Sequence, residues 1–314
     1  MVILSPATYH FQSLNSVLSW FRKIISKWHC HLCDDLNKTD LNNLIKRMLT
    51  GIALALIITL AISMGLISFS LLVLTIDLVT LSEFYRLFRS PELIPRKTEG
   101  LILSLSILIS FTIFINGVSD PDILLINVPV VFSIFIFELY LKADSPFLNL
   151  AITFLGIICI TIPLCFFVSV AVLPIGHGIY HSQIALGYFF ILWASDSGAY
   201  FIGKYFGRHH LFERISPKKT WEGSIGGMVS ALTTAYITSY FFTTINYSSW
   251  LILAFIIVVT GTFGDLIKSL MKRSLHIKDS GTILPGHGGM LDRFDTMLGS
   301  APFVYCYLIL FANA

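Results

Sequence analysis

The chain reads as an all-α, polytopic integral membrane protein with about nine transmembrane helices, its N-terminus cytoplasmic and its C-terminus outside. Three observations predict this class. Of the 314 residues, 55% are hydrophobic and only 12% charged. The apolar residues gather in stretches of about 20, the length that crosses a hydrocarbon core of roughly 30 Å as a helix. Lys and Arg recur only in every second connection between those stretches, the pattern of a chain with a retained cytoplasmic face. Disorder, collagen, coiled coil and a disulfide-built secreted module each require more charge, a short repeat or a denser cysteine count, and are excluded.

In chain order the predicted spans are 50–66, 68–87, 99–117, 122–141, 149–174, 182–203, 224–244, 248–271 and 296–314. Gly65 marks a tight hairpin between the first two. Six basic residues precede the first span (Arg22, Lys23, Lys27, Lys38, Lys46, Arg47) and four follow the second (Arg86, Arg89, Arg96, Lys97). Lys142 follows the fourth. Five follow the sixth (Lys204, Arg208, Arg214, Lys218, Lys219) and five the eighth (Lys268, Lys272, Arg273, Lys278, Arg293). These are all 21 Lys and Arg residues, so none falls on the opposite face. The net charge of +3 therefore conceals a polarised molecule, basic on its cytoplasmic side.

Residues 1–45 form a cytoplasmic extension ahead of the membrane domain, 46–314. Leu14, Val17, Leu18, Phe21, Ile24, Ile25 and Trp28 recur at helical spacing, opposite Ser13, Ser16, Arg22, Lys23, Ser26 and Lys27, which reads as a basic amphipathic helix on the inner leaflet. A loosely ordered extension, or translation starting near Met48, is the alternative. A cleavable signal is not: the basic residues follow the apolar ones, and no small-residue cleavage site appears. Cys159, Cys165 and Cys306 lie in spans as small apolar residues. Cys30 and Cys33 form C-x-x-C beside His29 and His31, but no second such pair completes the four ligands of a zinc site.

Acids inside spans are costly and so draw attention to themselves. Glu83 and Glu138 lie within helical reach of Arg86 and Lys142, and ordinary helix-end pairing accounts for them. Asp77 has no assignment from sequence. Asp196 and Asp265 each end a span that runs into a basic connection. The stretch from Gly198 to Lys204 nearly spells a P-loop, but Tyr205 stands where Ser or Thr is required and no strand precedes it, so its glycines are expected to pack helices. Ser216-Pro-Lys-Lys-Thr-Trp-Glu-Gly223 presents Lys218 and Lys219, a pair suited to phosphate oxygens or merely to topology.

The third region decides between those readings. Asp265, Lys268, Ser269 and Lys272 recur at i, i+3, i+4 and i+7, so one helix face carries a carboxylate, a hydroxyl and two ammonium groups. Arg273, Lys278 and Asp279 follow, then Gly286-His-Gly-Gly-Met-Leu-Asp292-Arg293-Phe-Asp295. Gly286, Gly288 and Gly289 let backbone approach a ligand, and Asp292 and Asp295, one turn apart, can hold a divalent metal. Carboxylates, cations and a glycine turn at a membrane edge are what metal-assisted phosphoryl or nucleotidyl transfer requires. A proton-coupled transporter would set its acids near the midplane instead.

These residues resemble the phosphatidate cytidylyltransferase (CDP-diacylglycerol synthase) family. The family pattern S-x-φ-K-R-x4-K-D-x-small-x2-φ-P-x-H-G-G-φ-x-D-R-φ-D, with φ apolar, is met at every fixed position from Ser269 to Asp295. Asp196 to Gly203, Ser216 to Gly223 and the nine-span plan are similar to the family as well, so the resemblance covers roughly 46–314 and leaves the extension unexplained. It implies transfer of CMP from CTP to phosphatidic acid, giving CDP-diacylglycerol and pyrophosphate, at the cytoplasmic side of a bacterial inner membrane. It further implies Mg2+ ligation by Asp265 and Asp292, catalytic roles for Lys272, Arg273, Lys278, Asp279, His287, Arg293 and Asp295, and substrate binding by Ser216, Lys218, Lys219, Ser269, Gly288 and Gly289. His287 either donates to a phosphate or pins the glycine turn, and Asp196 either takes a second cation or organises Lys204. A monovalent ion beside Mg2+ and pairing into a homodimer stay open, and no nucleic-acid partner is expected. The rival in chemistry is a CTP-dependent polyprenol or dolichol kinase, which would move the γ-phosphate.

Overall fold

The computed structural model describes residues 38–173, 179–278, 280–281 and 288–312, with side chains from residue 48 onward. The N-terminal amphipathic helix, the Cys30/Cys33 pair, Asp279 and His287 lie outside the described residues. The chain divides into two compact units, Met1–Ile52 and Ala53–Ala314. Of the first, only the start of one helix is described. The second holds every site residue discussed below.

Nine helices run through the described residues: α1 (Lys38–Ser63), α2 (Leu66–Phe88), α3 (Lys97–Ile115), α4 (Asn127–Tyr140), α5 (Pro146–Val170), α6 (Ser182–Phe206), α7 (Trp221–Phe241), α8 (Tyr247–Ser274) and α9 (Asp295–Phe311). Each predicted span falls on one of them. The break between α1 and α2 is at Gly65, whose φ of 118° is open to glycine and strained for other residues. A 3-10 turn, Pro121–Ile126, leads into α4.

Five helical stretches are long and apolar enough to cross a membrane: Leu66–Phe88, Lys97–Ile115, Pro121–Tyr140, Pro146–Val170 and Tyr247–Ser274. Met48–Ser63 and Asp295–Phe311 are apolar but shorter. Helices α6 and α7 have the length, but Ser195, Asp196, Ser197 and Lys204 in one and Glu222 with many Ser, Thr and Gly residues in the other dilute their apolar character. Large apolar side chains such as Phe132, Leu139 and Phe147 stand on the exterior, where only a hydrocarbon solvent makes them inexpensive.

One element departs from the all-α expectation. Between α6 and α7 lies an antiparallel hairpin of β1 (His210–Phe212) and β2 (Ser216–Thr220), with His210 opposite Thr220 and Phe212 opposite Ser216. At three and five residues it is too short for a periodic signal. It rests on α7, whose first turn it caps: Thr220 Oγ1 accepts from Gly223 N at 3.1 Å.

Helices α6 and α7 pack backbone to backbone. A Cβ at Gly226 would lie 2.5 Å from the Ile202 Cβ, and one at Gly227 would lie 2.9 Å from the Ser195 carbonyl oxygen. Small residues at such a seam are how helices associate where apolar burial gives no driving force. The glycines of the false P-loop lie in the same seam and pack helices, as expected: a Cβ at Gly198 would lie 2.9 Å from the Gly226 carbonyl oxygen, and one at Gly203 would lie 3.4 Å from the Gly223 Cα. Helix α5 contains a π turn, Ile157–Thr161. Pro163 lacks the N–H that would bond the Cys159 carbonyl, and Ile162 N bonds Ile157 O instead, one residue wider than an α-helix.

Candidate functional site

The site is assembled from α6, β2, α7, α8 and the first turn of α9. A cavity of about 470 Å³ opens among them, with Asp196, Lys204, Lys218, Lys219, Thr220 and Asp265 on its walls. Each element delivers its residues for a local reason. The close seam of α6 and α7 brings the polar end of α6 against the start of α7. Helix α7 begins at the cavity, with Thr220, Gly223 and Ser224 on its wall, and the start of a helix favours anions. The hairpin carries Lys218 and Lys219 over the opening. Glu222 pins that connection, accepting from Arg208 N at 3.1 Å and from the His209 ring at 2.6 Å.

Two lysine–carboxylate pairs sit on the α8 side. Asp265 is in close ion contact with Lys219 and accepts from Ser269 Oγ at 3.3 Å. Its carboxyl group also meets that of Asp295 at hydrogen-bonding distance. Lys272 Nζ donates to Asp292 Oδ1 at 2.6 Å, and Ser280 N donates to Asp292 Oδ2 at 2.8 Å. The predicted face of α8 therefore exists, with Asp265 and Lys272 bound outward to β2 and to the loop before α9 and Ser269 bound back to Asp265. Asp295 caps its own helix start, accepting from Thr296 N at 2.7 Å.

The contact of two carboxyl groups is unfavourable unless a proton or cation lies between them. Among the described residues no group of three His, Cys, Asp or Glu side chains forms a metal cage. A cation that takes one or two carboxylates, and its remaining ligands from phosphate and water, fits this donor set; one requiring an all-protein cage does not.

The other predicted site residues are spread around this centre. Ser216 opens β2 and pairs with Phe212. Arg273 reaches the backbone carbonyls of Ile215 and Ile277 at 3.5 and 3.4 Å, tying α8 to the hairpin turn. Lys278 and Arg293 are exposed. Gly288 has φ 84°, the left-handed region, and Gly289 is crowded: a Cβ there would lie 2.0 Å from Ser280 Oγ and 2.9 Å from Glu83 Oε2.

Glu83 belongs to this loop, which the sequence reading missed. Instead of pairing with Arg86 at the end of α2, it is buried beneath the glycine turn, and its Oε2 accepts from Leu291 N at 2.9 Å. A carboxylate in an apolar span was the available signal, and helical proximity to Arg86 misdirected it. Glu138 likewise pairs with Arg96 rather than Lys142: the guanidinium grips both carboxylate oxygens, and Asn149 Nδ2 donates at 3.2 Å. Asp77 is buried in the middle of α2, accepting close from Ser104 Oγ and at 2.9 Å from Thr161 Oγ1 in the π turn. A second cavity, about 590 Å³, is lined by Arg86, Arg89, Arg96 and Lys97 and holds none of the signature residues.

A sequence profile of the cytidylyltransferase family matches residues 45–311. Among curated proteins, the phosphatidate cytidylyltransferase of Bacillus subtilis is 33% identical over 277 residues, covering 85% of this chain and 98% of that protein. The phosphatidate cytidylyltransferase of Haemophilus influenzae is 44% identical over 133 residues, 40% of this chain and 46% of its own length. That of Staphylococcus haemolyticus is 45% identical over 123 residues, 38% of this chain and 47% of its own. The profile takes in the cavity, both lysine–carboxylate pairs and the glycine turn, and on these grounds the chain belongs to the cytidylyltransferase family.

Proposed function

We propose that the chain transfers CMP from CTP to phosphatidic acid, releasing pyrophosphate and forming CDP-diacylglycerol for phospholipid synthesis. The observation that carries this reading is the pair of contacts Lys219–Asp265, on the wall of the cavity at the start of α7, and Lys272–Asp292, two turns further along α8. Each lysine is held by a carboxylate when no substrate is present, and each has phosphate oxygens to turn to when a nucleotide arrives. Lys218, Lys219 and the α7 N-terminus would hold the triphosphate. Lys272, Arg273, Lys278 and Arg293 would neutralise the remaining charge.

Mg2+, held by Asp265 and Asp292, would supply charge stabilisation at the phosphates. The lipid phosphate monoester is already an anion and needs little base assistance. Its oxygen forms a bond to the α-phosphorus as the bond from that phosphorus to the β-bridging oxygen breaks, and pyrophosphate departs with that electron pair. The protein's work is alignment and charge stabilisation. All nine helices would cross or enter the bilayer, with the N-terminus and the site cytoplasmic in a bacterial inner membrane. The confinement of Lys and Arg to alternate connections supports that orientation.

The test uses purified protein, Mg2+ and phosphatidic acid with CTP labelled separately at the α and γ phosphates. Label from the α position is expected in the lipid. Label entering lipid only from the γ position would make the protein a lipid kinase instead.

A further inference from the structure

Lys268 is a buried cation that the chemistry above leaves unused. The residue is 8% exposed, and its Nζ has no hydrogen-bond partner among the described residues. Lys219 and Lys272, by contrast, are each held by an aspartate. A lysine stem is long and flexible enough to carry its charge to water, so an ammonium group kept buried without a partner is expensive and needs a reason. An anion that arrives during the reaction provides one.

Its position indicates which anion. Lys268 is not on the wall of the cavity where Lys218, Lys219 and Thr220 face the opening. It lies instead within electrostatic reach of Cys159, in the π turn of α5, and of Asp292 and Asp295. Helices α5 and α8 are both apolar enough to cross a membrane. Ile158 on α5, and Ile267 and Leu270 flanking Lys268 on α8, present exposed apolar side chains. The ammonium group is therefore beside the carboxylates, on helices that meet lipid, and off the cavity suited to the nucleotide.

Resting on the reading that the acceptor is a lipid phosphate monoester, we propose that Lys268 is the substrate-binding residue that receives the phosphate of that lipid. Lys218 and Lys219 serve the nucleotide. Recognition by Lys268 is of charge alone, since an ammonium group contacts a phosphate as a point charge rather than a fork.

The experiment compares the wild-type full chain with Lys268→Met and Lys268→Gln, each assayed with phosphatidic acid varied at saturating CTP and the reverse. Both variants are expected to raise KM for phosphatidic acid about tenfold or more, the scale of one lost charge-assisted contact. KM for CTP should stay within about twofold, since no nucleotide contact is removed. Thermal stability should not fall, because an unpaired buried charge has been removed; a merely structural lysine would lower it. Equal rises in both KM values, or no change for the lipid, would overturn the assignment. Binding to vesicles of phosphatidic acid against phosphatidylcholine separates this claim from the activity. If the wild type transfers no CMP, the functional reading fails, and Lys268 is judged by whether its variants lose selective retention on the phosphatidic acid vesicles.

Discussion

Helices α2 to α5 and helices α6 to α9 bury polar groups in opposite styles. In the first set the clusters around Glu138 and Asp77 are closed, although Thr80 Oγ1 and Glu83 Oε1 on α2 have no hydrogen-bond partner among the described residues. Glu138 has both oxygens on Arg96 and accepts from Asn149, and Asp77 is held by Ser104 and Thr161 from two other helices. In the second set the clusters are open. Asp265 faces another carboxyl group and pairs with Lys219 on the wall of a cavity, and Lys268 has no hydrogen-bond partner among the described residues. Closed clusters hold helices in register where backbone and lipid supply little specificity, while open ones keep charge available for a substrate. The comparison teaches that an acid within a span is not in itself a functional residue; whether its partners saturate it is what distinguishes the two kinds.

The largest effect should come from the open side. Asp292→Asn removes the charge that holds Lys272 and that the proposed mechanism assigns to Mg2+, and CMP transfer is expected to fall about a thousandfold, the upper range for losing preorganised charge stabilisation. The thermal unfolding midpoint should stay near that of the wild type, and a matching loss of fold would erase the contrast. On the closed side the order reverses. Glu138→Ala leaves Arg96 partly buried without its counter-charge, costing about 3 to 5 kcal/mol of stability, read by unfolding in detergent. Residual activity per folded molecule should be near normal at low temperature. The smallest effect belongs to Asp77→Asn. The amide keeps an oxygen for one of the Ser104 and Thr161 hydroxyls and donates an N–H to the other, so about 1 kcal/mol of stability should change and turnover should not. A large loss of transfer in Asp77→Asn would move that cluster into the functional set and break the comparison.

Much of this was legible beforehand. The nine apolar stretches each fall on a helix, and five of the helical stretches are long and apolar enough to cross hydrocarbon, where all backbone bonds must be made internally. The i, i+3, i+4, i+7 spacing from Asp265 to Lys272 puts those side chains on one face by helix geometry alone. What each side chain touches was not legible. Glu83 has a basic residue three places on within its helix, and Glu138 has one four places on, just past the end of α4, and local spacing points to each. Both instead make contacts across the fold, Glu83 with a loop 208 residues away and Glu138 with an arginine 42 residues away. The hairpin of β1 and β2 escaped for a related reason: Ser216-Pro-Lys-Lys-Thr has no alternation, and its strand state depends on pairing with His210 and Phe212 and on docking against α7.

By itself, then, the sequence determined where the helices run, which connections are basic and which residues carry charge near the site, because these follow from local composition and helical period. Only the tertiary structure decided which acids are saturated and which are left open. That depends on side chains contributed by distant helices, and in an apolar medium a buried charge takes whichever partner packing delivers, near or far in the chain.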